Sequence, residues 1–154
     1  MIKFYDTCSL LELQSEAFNS DFLISNLTIN ELEQIKTSGT RDEEIKWKAR
    51  QILHLLEDNK EAYEVVIYST KYDEYLNDFS LPPNNDNKIV VSAYACDQTT
   101  EVTFVTSDLA CKTIAEFVGL NTEFTKANDN DGYTGYQEVA MGNEELADFY
   151  SNIK

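Results

Sequence analysis

The stretch Ile2-Lys3-Phe4-Tyr5-Asp6 is a short apolar strand that stops at an acid, before a small polar turn and the apolar pair Leu10-Leu11. The same pattern returns at Val102-Thr103-Phe104-Val105-Thr106-Ser107-Asp108, which runs into a second apolar segment. If the two strands are parallel neighbours, Asp6 and Asp108 lie at the carboxyl edge of one sheet. Open α/β folds bind their ligands at that edge, so the repeated pattern predicts a functional site there.

The rest of the chain alternates between short apolar runs and segments in which apolar residues recur with helical spacing. We predict strands at 2–5, 22–25, 64–68, 102–106 and 122–125, and a last strand around Val139 and Met141. We predict helices at 8–18, 28–36, 40–60, 70–79, 86–96, 109–118 and 144–152. This alternation is typical of an α/β protein with a mainly parallel central sheet between two helix layers, and it predicts a single domain over residues 1–154.

The chain is strongly acidic, with 28 Asp and Glu against 12 Lys and Arg and a formal charge of −16. This charge repels nucleic acids and other polyanions and attracts divalent cations. The three cysteines are widely spaced, which favours reduced thiols over a zinc pattern or a disulfide framework. No apolar run approaches the roughly 20 residues of a membrane span, and Met1-Ile2-Lys3 lacks the apolar core of a signal peptide. We therefore expect a cytoplasmic protein without membrane contact.

Four acids follow strand or turn signals, namely Asp6, Glu31, Asp86 and Asp108. Each has a purely structural interpretation, because Asp is a good helix N-cap and Glu31 follows Thr28 with the spacing of a capping box. In a parallel sheet, however, the helix starts gather at one edge, so acids at these starts converge. Converged carboxylates repel one another unless they are protonated or bind a cation. The four acids therefore indicate either a set of caps or a site for a hard metal with oxygen ligands.

The order of these motifs resembles that of the PIN domain nucleases over most of the chain before Gly119. The segments that carry the resemblance are Phe4-Tyr5-Asp6-Thr7, Thr28-Ile29-Asn30-Glu31-Leu32, Asn85-Asp86-Asn87-Lys88-Ile89 and Val105-Thr106-Ser107-Asp108. The tail Gly132-Tyr133-Thr134-Gly135-Tyr136 is similar to the PIN portion of PhoH-like proteins, in which a P-loop ATPase follows. No P-loop motif occurs in this sequence, so we expect no ATP site in the chain, which either stands alone or is part of a longer protein.

The resemblance implies an endoribonuclease that hydrolyses single-stranded RNA with Mg²⁺ or Mn²⁺. It implies that Asp6 and Asp108 hold the ion directly and that Glu31 and Asp86 complete its coordination or hold a second ion. It further implies that three neighbouring hydroxyl residues orient these ligands through hydrogen bonds, namely Thr7, Thr106 and Ser107.

Two features of the sequence leave alternatives open. Cys8 stands where the family often has Asn or Ser, a departure that bears on any hydrogen bond from this position to the metal ligands. Together with the charge of −16, it favours the alternative of a PIN fold kept for binding or regulation without efficient cleavage. A homodimer or another protein partner is compatible with either function. A basic group forms either a solvated helix face or a patch that meets RNA phosphates, and it consists of Lys36, Arg41, Lys46, Lys48 and Arg50.

Overall fold

The computed structural model describes residues 1–125, which form one parallel sheet covered by helices. The strands are β1 (Ile2–Tyr5), β2 (Phe22–Ser25), β3 (Tyr63–Val66), β4 (Val102–Thr106) and β5 (Asn121–Phe124). They lie in the order β3-β2-β1-β4-β5, and every neighbouring pair is parallel. Because β1 and β4 are neighbours in parallel register, the residues that follow them lie at the same edge of the sheet.

Within residues 1–125, six helices connect the strands. They are α1 (Thr7–Leu13), α2 (Asn26–Thr37), α3 (Glu43–Asp58), α4 (Asp73–Asp78), α5 (Asn85–Asp97) and α6 (Leu109–Phe117), with 3₁₀ turns at Gln14–Asn19, Lys60–Ala62 and Thr70–Tyr72. The helix predicted at 8–18 is therefore α1 followed by a 3₁₀ turn. Gln14 causes this break, because its φ of +52° lies in the left-handed region and ends the right-handed helix. The helix predicted at 70–79 is likewise a 3₁₀ turn followed by the short α4.

Strand β3 ends earlier than the predicted strand at 64–68. Its last paired residue is Val66, next to Ser25 of β2. The backbone N–H of Tyr68 donates instead to the side-chain oxygen of Asn26, at 2.8 Å, so this part of the chain turns towards the start of α2. The side chain of Asn26, at the beginning of α2, thus replaces a neighbouring strand as the hydrogen-bond partner of this N–H group.

Alternate residues of the central strands face opposite sides of the sheet. Phe4 and Phe104 pack on one side, against apolar residues of α5 and α6. Tyr5 and Val105 pack on the other side, against apolar residues of α1, α2 and α3. Burial on both faces explains why these strands read as nearly continuous apolar runs. The arrangement confirms the predicted three-layer α/β/α fold with a parallel central sheet.

Within residues 1–125, no helix has the length and apolar character that crossing a membrane requires. Three sequence predictions lie outside the described residues: the strand around Val139 and Met141, the helix at 144–152 and the tail motif at 132–136. The extent of the single domain over 1–154 therefore stays a prediction.

Candidate active site

Asp6 is the buried centre of the candidate site, with only 4% of its surface exposed. It follows β1 directly and caps α1, since its Oδ1 accepts the backbone N–H of Ser9 at 2.9 Å. Its Oδ2 accepts the hydroxyl hydrogen of Thr106, from the end of β4. Burial raises the pKa of Asp6, and the hydrogen bonds from Thr106, Ser9 and Cys8 oppose that rise. All of these donors are neutral, so they orient the carboxylate without balancing its charge.

Asp108 lies beside Asp6 because β4 lies beside β1. It caps α6, and its Oδ1 accepts the backbone N–H groups of Ala110 and Cys111 at 2.9 and 3.3 Å. The backbone N–H of Asp108 in turn donates to the hydroxyl oxygen of Thr106, at 3.0 Å. Thr106 therefore links the two strand-end acids. Both acids cap a helix, which confirms the cap interpretation for them, and both line the same cavity, which is compatible with the predicted metal site.

Glu31 is not the capping-box partner of Thr28. Helix α2 begins at Asn26, and its N-cap is Ser25, whose hydroxyl accepts the N–H of Leu27 at 3.0 Å. Glu31 instead lies more than one turn into the helix, where the hydroxyl of Thr7 donates to one carboxylate oxygen. The side-chain amide of Asn85 donates to the other oxygen at 3.3 Å. Contacts from the starts of α1 and α5 thus fix its position.

Asp86 is not a cap either. It lies in the first turn of α5, and Asn84 is the N-cap, whose side-chain oxygen accepts the N–H of Asn87 at 2.9 Å. Partial burial of the Asp86 carboxyl raises its pKa, and the negative charges of Glu31, Asp108 and Asp6 raise it further. The Asp86 carboxyl is therefore close enough to Glu31, Asp108 and Asp6 to be repelled by each of them.

All four acids line one cavity of about 400 Å³ at the carboxyl edge of the sheet. Ligand atoms of Asp86, Asp108 and Cys111 lie within 4.8 Å of one another. Among the described residues that line the cavity, Arg41 is the one cation, and none of the four acids forms an ion pair with a described Lys or Arg. Several carboxylates without a paired cation fit a divalent ion with oxygen ligands, such as Mg²⁺ or Mn²⁺.

Two thiols also face the cavity. Cys8 donates to both carboxylate oxygens of Asp6, at 3.2 and 3.3 Å, so this departure from the family pattern still provides a hydrogen bond to a candidate ligand. Burial, followed by the charge of Asp6, raises the pKa of Cys8 to about 11. Burial and the nearby acids also raise the pKa of Cys111 far above its ordinary value. Both groups are therefore neutral thiols near pH 7.

The remaining residues named from the sequence lie in different surroundings. Thr7 and Thr106 make the hydrogen bonds described above, and Ser107 is half-buried in the turn after β4. In the basic group, Lys36, Lys46 and Lys48 pair with Glu33, Glu43 and Glu44 of their own helices at 3.0, 3.2 and 3.6 Å. Arg50 lines a smaller cavity, away from the acids, and Arg41 lines the acidic cavity itself. A role in RNA binding stays a prediction for the whole group.

Sequence reasoning missed two contributors to the site. Asn85 holds Glu31, and Cys111 brings its sulfur next to two of the acids. The asparagine lies in the segment Pro82-Pro83-Asn84-Asn85-Asp86, where a second Asn beside the cap was the available signal. Cys111 gave none, because a cysteine three residues into an apolar helix has the pattern of an ordinary core residue.

The fold and the cavity together define an α/β protein with an acidic site suited to a divalent cation. A family model described as PIN domain matches residues 4–126, and the chain belongs to this family. No curated protein matches the sequence. The family match confirms the resemblance to PIN domains. The similarity of the tail to PhoH-like proteins stays a prediction, because neither the family description nor the solved structures below name such proteins.

Two solved structures share the fold. One is a domain of a functionally unknown protein from Methanocaldococcus jannaschii, with 21% identity and a TM-score of 0.55 over 88% of this chain and 98% of that chain. The other is VapBC-1 from nontypeable Haemophilus influenzae, with 18% identity and a TM-score of 0.50 over 80% of this chain and 98% of that chain. At these identities the similarity concerns the fold alone.

Proposed function

We propose that the protein is a metal-dependent endoribonuclease that hydrolyses phosphodiester bonds of single-stranded RNA. The observation that carries this proposal is the convergence of Asp6, Glu31, Asp86 and Asp108 in one cavity without a paired described cation. Membership of the PIN domain family supports it, because members of that family are generally nucleases. The location of the cavity at the carboxyl edge of a parallel sheet also suits a ligand site.

In this proposal Asp6 and Asp108 hold Mg²⁺ or Mn²⁺, and Glu31 and Asp86 complete the coordination or hold a second ion. Asp108 is suited to this role because its Oδ2 accepts no hydrogen bond from the described residues. Each oxygen of an ionised carboxylate can accept two bonds, so Asp6 can hold a cation while it keeps some of its hydrogen bonds. A bound ion lowers the pKa of a water ligand and stabilises negative charge on a phosphate.

The neighbouring hydroxyl groups give these ligands fixed orientations. Thr106 donates to Asp6 and accepts from the backbone of Asp108, so one side chain sets the relative position of two ligands. Thr7 donates to one carboxylate oxygen of Glu31 and so limits the orientation of that side chain. Hydrogen bonds of this kind affect affinity for a metal because they limit the arrangements that the ligands can adopt. Arg41, at the rim of the same cavity, is the described cation best placed to meet a phosphate of the RNA.

The second candidate function is binding or regulation without efficient cleavage, and the contacts of Cys8 favour it. Its single thiol hydrogen is shared between the two oxygens of Asp6, so it competes with a metal ion for the lone pairs of this carboxylate. A nuclease assay separates the two functions, because a binding module leaves the RNA intact.

The test is a nuclease assay on highly purified protein with single-stranded RNA and millimolar Mn²⁺ or Mg²⁺. We expect wild type to cut the RNA, whereas Asp6→Asn and Asp108→Asn lose cleavage. Asp42→Asn is the matched control, because Asp42 is also an N-cap Asp, accepting the N–H of Ile45 at 2.9 Å, but does not line the cavity. Equal trace activity in wild type and all three variants would overturn the nuclease proposal.

A further inference from the structure

A continuous row of aromatic side chains covers the surface formed by α4, α5 and the end of α6. We call it the aromatic strip, and it consists in spatial order of Tyr68, Tyr72, Tyr75, Tyr94, Phe79 and Phe117. Neighbouring ring centroids are 5.1 to 6.1 Å apart. The first five rings are half-buried, whereas Phe117 keeps 66% of its surface exposed.

Packing explains only part of the strip. Phe79 and Tyr94 contact the core under α5 and therefore attach the short α4 to the rest of the fold. Phe117 extends the row to a position where most of the ring meets solvent. An exposed phenylalanine joined to a row of tyrosines is the kind of surface that marks an interaction site.

Two lysines accompany the strip. The ammonium group of Lys88 lies 5.3 Å from the ring centroid of Tyr68, and that of Lys71 lies 5.9 Å from the ring centroid of Tyr72. Neither lysine takes part in an ion pair within the part of the chain that the structure describes. Within residues 1–125, the Lys and Arg side chains without an ion pair are Arg41, Arg50, Lys71 and Lys88, and the last two lie beside aromatic rings.

The strip begins at the edge of the sheet where the acidic cavity lies, because Tyr68 closely follows Val66, the last paired residue of β3. Tyr68 is held against the start of α2 by the bond from its backbone N–H to Asn26, and the ammonium group of Lys88 lies over its ring. The row then follows α5 away from the cavity, and Lys88 and Tyr94 are separated by roughly 9 Å along the helix axis at 1.5 Å per residue. It ends at Phe117, the last residue of α6. The strip therefore extends along the side of α5 from the edge of the sheet that carries the cavity.

We propose that the aromatic strip binds the segment of single-stranded RNA that lies on one side of the scissile bond, which rests on the proposed ribonuclease function. Bases stack on the rings, and Lys71 and Lys88 contact phosphates. Stacking on aromatic rings tolerates any base, so it suits a nuclease that must hold an unpaired strand. The start of the strip at the same edge of the sheet as the cavity, and the two lysines beside its rings, favour RNA over a protein partner. The acids of α4 repel phosphates, so the backbone follows the lysine side of the strip; they are Asp73, Glu74 and Asp78.

The test measures binding of a fluorescein-labelled oligoadenylate of about twelve nucleotides by fluorescence anisotropy, in EDTA so that metal-dependent cleavage cannot occur. The full chain is used as wild type, Tyr72→Leu and Phe117→Leu. Leucine keeps apolar bulk and removes the aromatic face. We expect each change to raise the Kd at least about fivefold, which corresponds to the lower end of measured stacking contributions. We expect Lys88→Gln to reduce the slope of log K against log salt by about 0.7.

Matched controls lie elsewhere on the surface. Trp47→Leu removes an aromatic ring of α3 that is 52% exposed and contacts none of the strip rings. Lys60→Gln removes an exposed lysine that pairs with Glu57 at 3.4 Å. We expect both controls to bind the RNA as wild type does. Circular dichroism and thermal melts of every variant exclude unfolding as the cause of lost binding.

Failure of the strip and failure of the nuclease function give different results. RNA cleavage in Mn²⁺ with unchanged binding by Tyr72→Leu and Phe117→Leu overturns the strip and leaves the nuclease. If Tyr72→Leu and Phe117→Leu weaken RNA binding but wild type does not cleave RNA in Mn²⁺, the strip proposal is supported and the nuclease proposal is overturned. No RNA binding by wild type in EDTA also overturns the strip, and the exposed ring of Phe117 then points to a protein partner.

Discussion

Thr106 is the residue on which the geometry of the two strand-end acids depends. It is fully buried at the end of β4, donates to Asp6 and accepts from the backbone N–H of Asp108. A threonine fits this position because its methyl group packs inside the sheet while its hydroxyl group serves both neighbours. Removing the hydroxyl leaves a buried acid and a backbone N–H without this partner, and unsatisfied buried groups are costly.

We therefore predict that Thr106→Val, which keeps the shape of the side chain, lowers the free energy of unfolding by about 1–3 kcal/mol. We also predict a roughly 10- to 100-fold loss of RNA cleavage, because one hydrogen bond orients two candidate ligands. Urea denaturation and initial cleavage rates measure the two effects. Thr103→Val, on the same strand but half-exposed and outside the cavity, is the control and retains its activity. Full activity in a folded Thr106→Val protein contradicts this role.

At the scale of elements, four helices supply the acids of the candidate site, and they do so in two ways. Helices α1 and α6 place Asp6 and Asp108 at their N-caps, so the same carboxylate begins a helix and faces the cavity. Helices α2 and α5 use Ser25 and Asn84 as caps. Their acids lie inside the helix, where no cap requires them. For these two helices the capping interpretation of the acids is wrong.

Two substitutions of Asp108 separate its role as the cap of α6 from its proposed role in metal binding. We predict that Asp108→Ala lowers the free energy of unfolding in EDTA by about 1 kcal/mol, because the bonds to the first turn of α6 are lost. Asp108→Asn keeps the cap and changes stability little, yet it loses cleavage. Chemical denaturation and the nuclease assay give the two readouts. The controls are at the start of α3, where Asp42→Ala is expected to lose stability as Asp108→Ala does, and Asp42→Asn to change it little. Both Asp42 variants are expected to cleave RNA normally. An active Asp108→Asn protein would limit Asp108 to capping.

At the scale of the whole molecule, the excess of acids affects stability as well as function. Four carboxyl groups share one cavity in a protein that already carries a charge of −16, and burial adds to the cost of ionising Asp6. Folding without a cation therefore brings like charges together. A divalent ion that binds the folded state and not the unfolded chain offsets this repulsion and stabilises the fold by mass action.

We predict that Mn²⁺ at a hundredfold excess over its dissociation constant stabilises wild type by about 2.7 kcal/mol. Asp6→Asn gains much less, and without metal it is at least as stable as wild type, because it lacks one buried charge. Thermal melts of both proteins with and without millimolar Mn²⁺ test this, and Asp42→Asn responds as wild type does. If the melting temperature of wild type is indifferent to both Mn²⁺ and Mg²⁺, the cavity is not a preformed metal site.

The sequence by itself determined the layered fold and the edge at which the site lies. Apolar runs of strand length alternating with helical periods are local patterns, and a parallel sheet collects the ends of its strands at one edge. The positions of Asp6 and Asp108 follow from those two facts, since each acid directly follows a central strand. The sequence patterns did not predict where α1 and β3 end. The positive φ of Gln14 ends α1 and the bond from Tyr68 to Asn26 ends β3, and both depend on contacts with other elements.

Only the tertiary structure decided which acids are caps, what holds Glu31, and how the aromatic residues are arranged. Thr7 and Asn85 reach Glu31 from positions 24 and 54 residues away in the chain. The aromatic strip likewise joins rings from three stretches of the chain, namely 68–79, α5 and the end of α6. Sequence periodicity reports only which face of an element is apolar. Contacts between distant elements depend on how those faces pack, and packing is settled by the shape of the whole core.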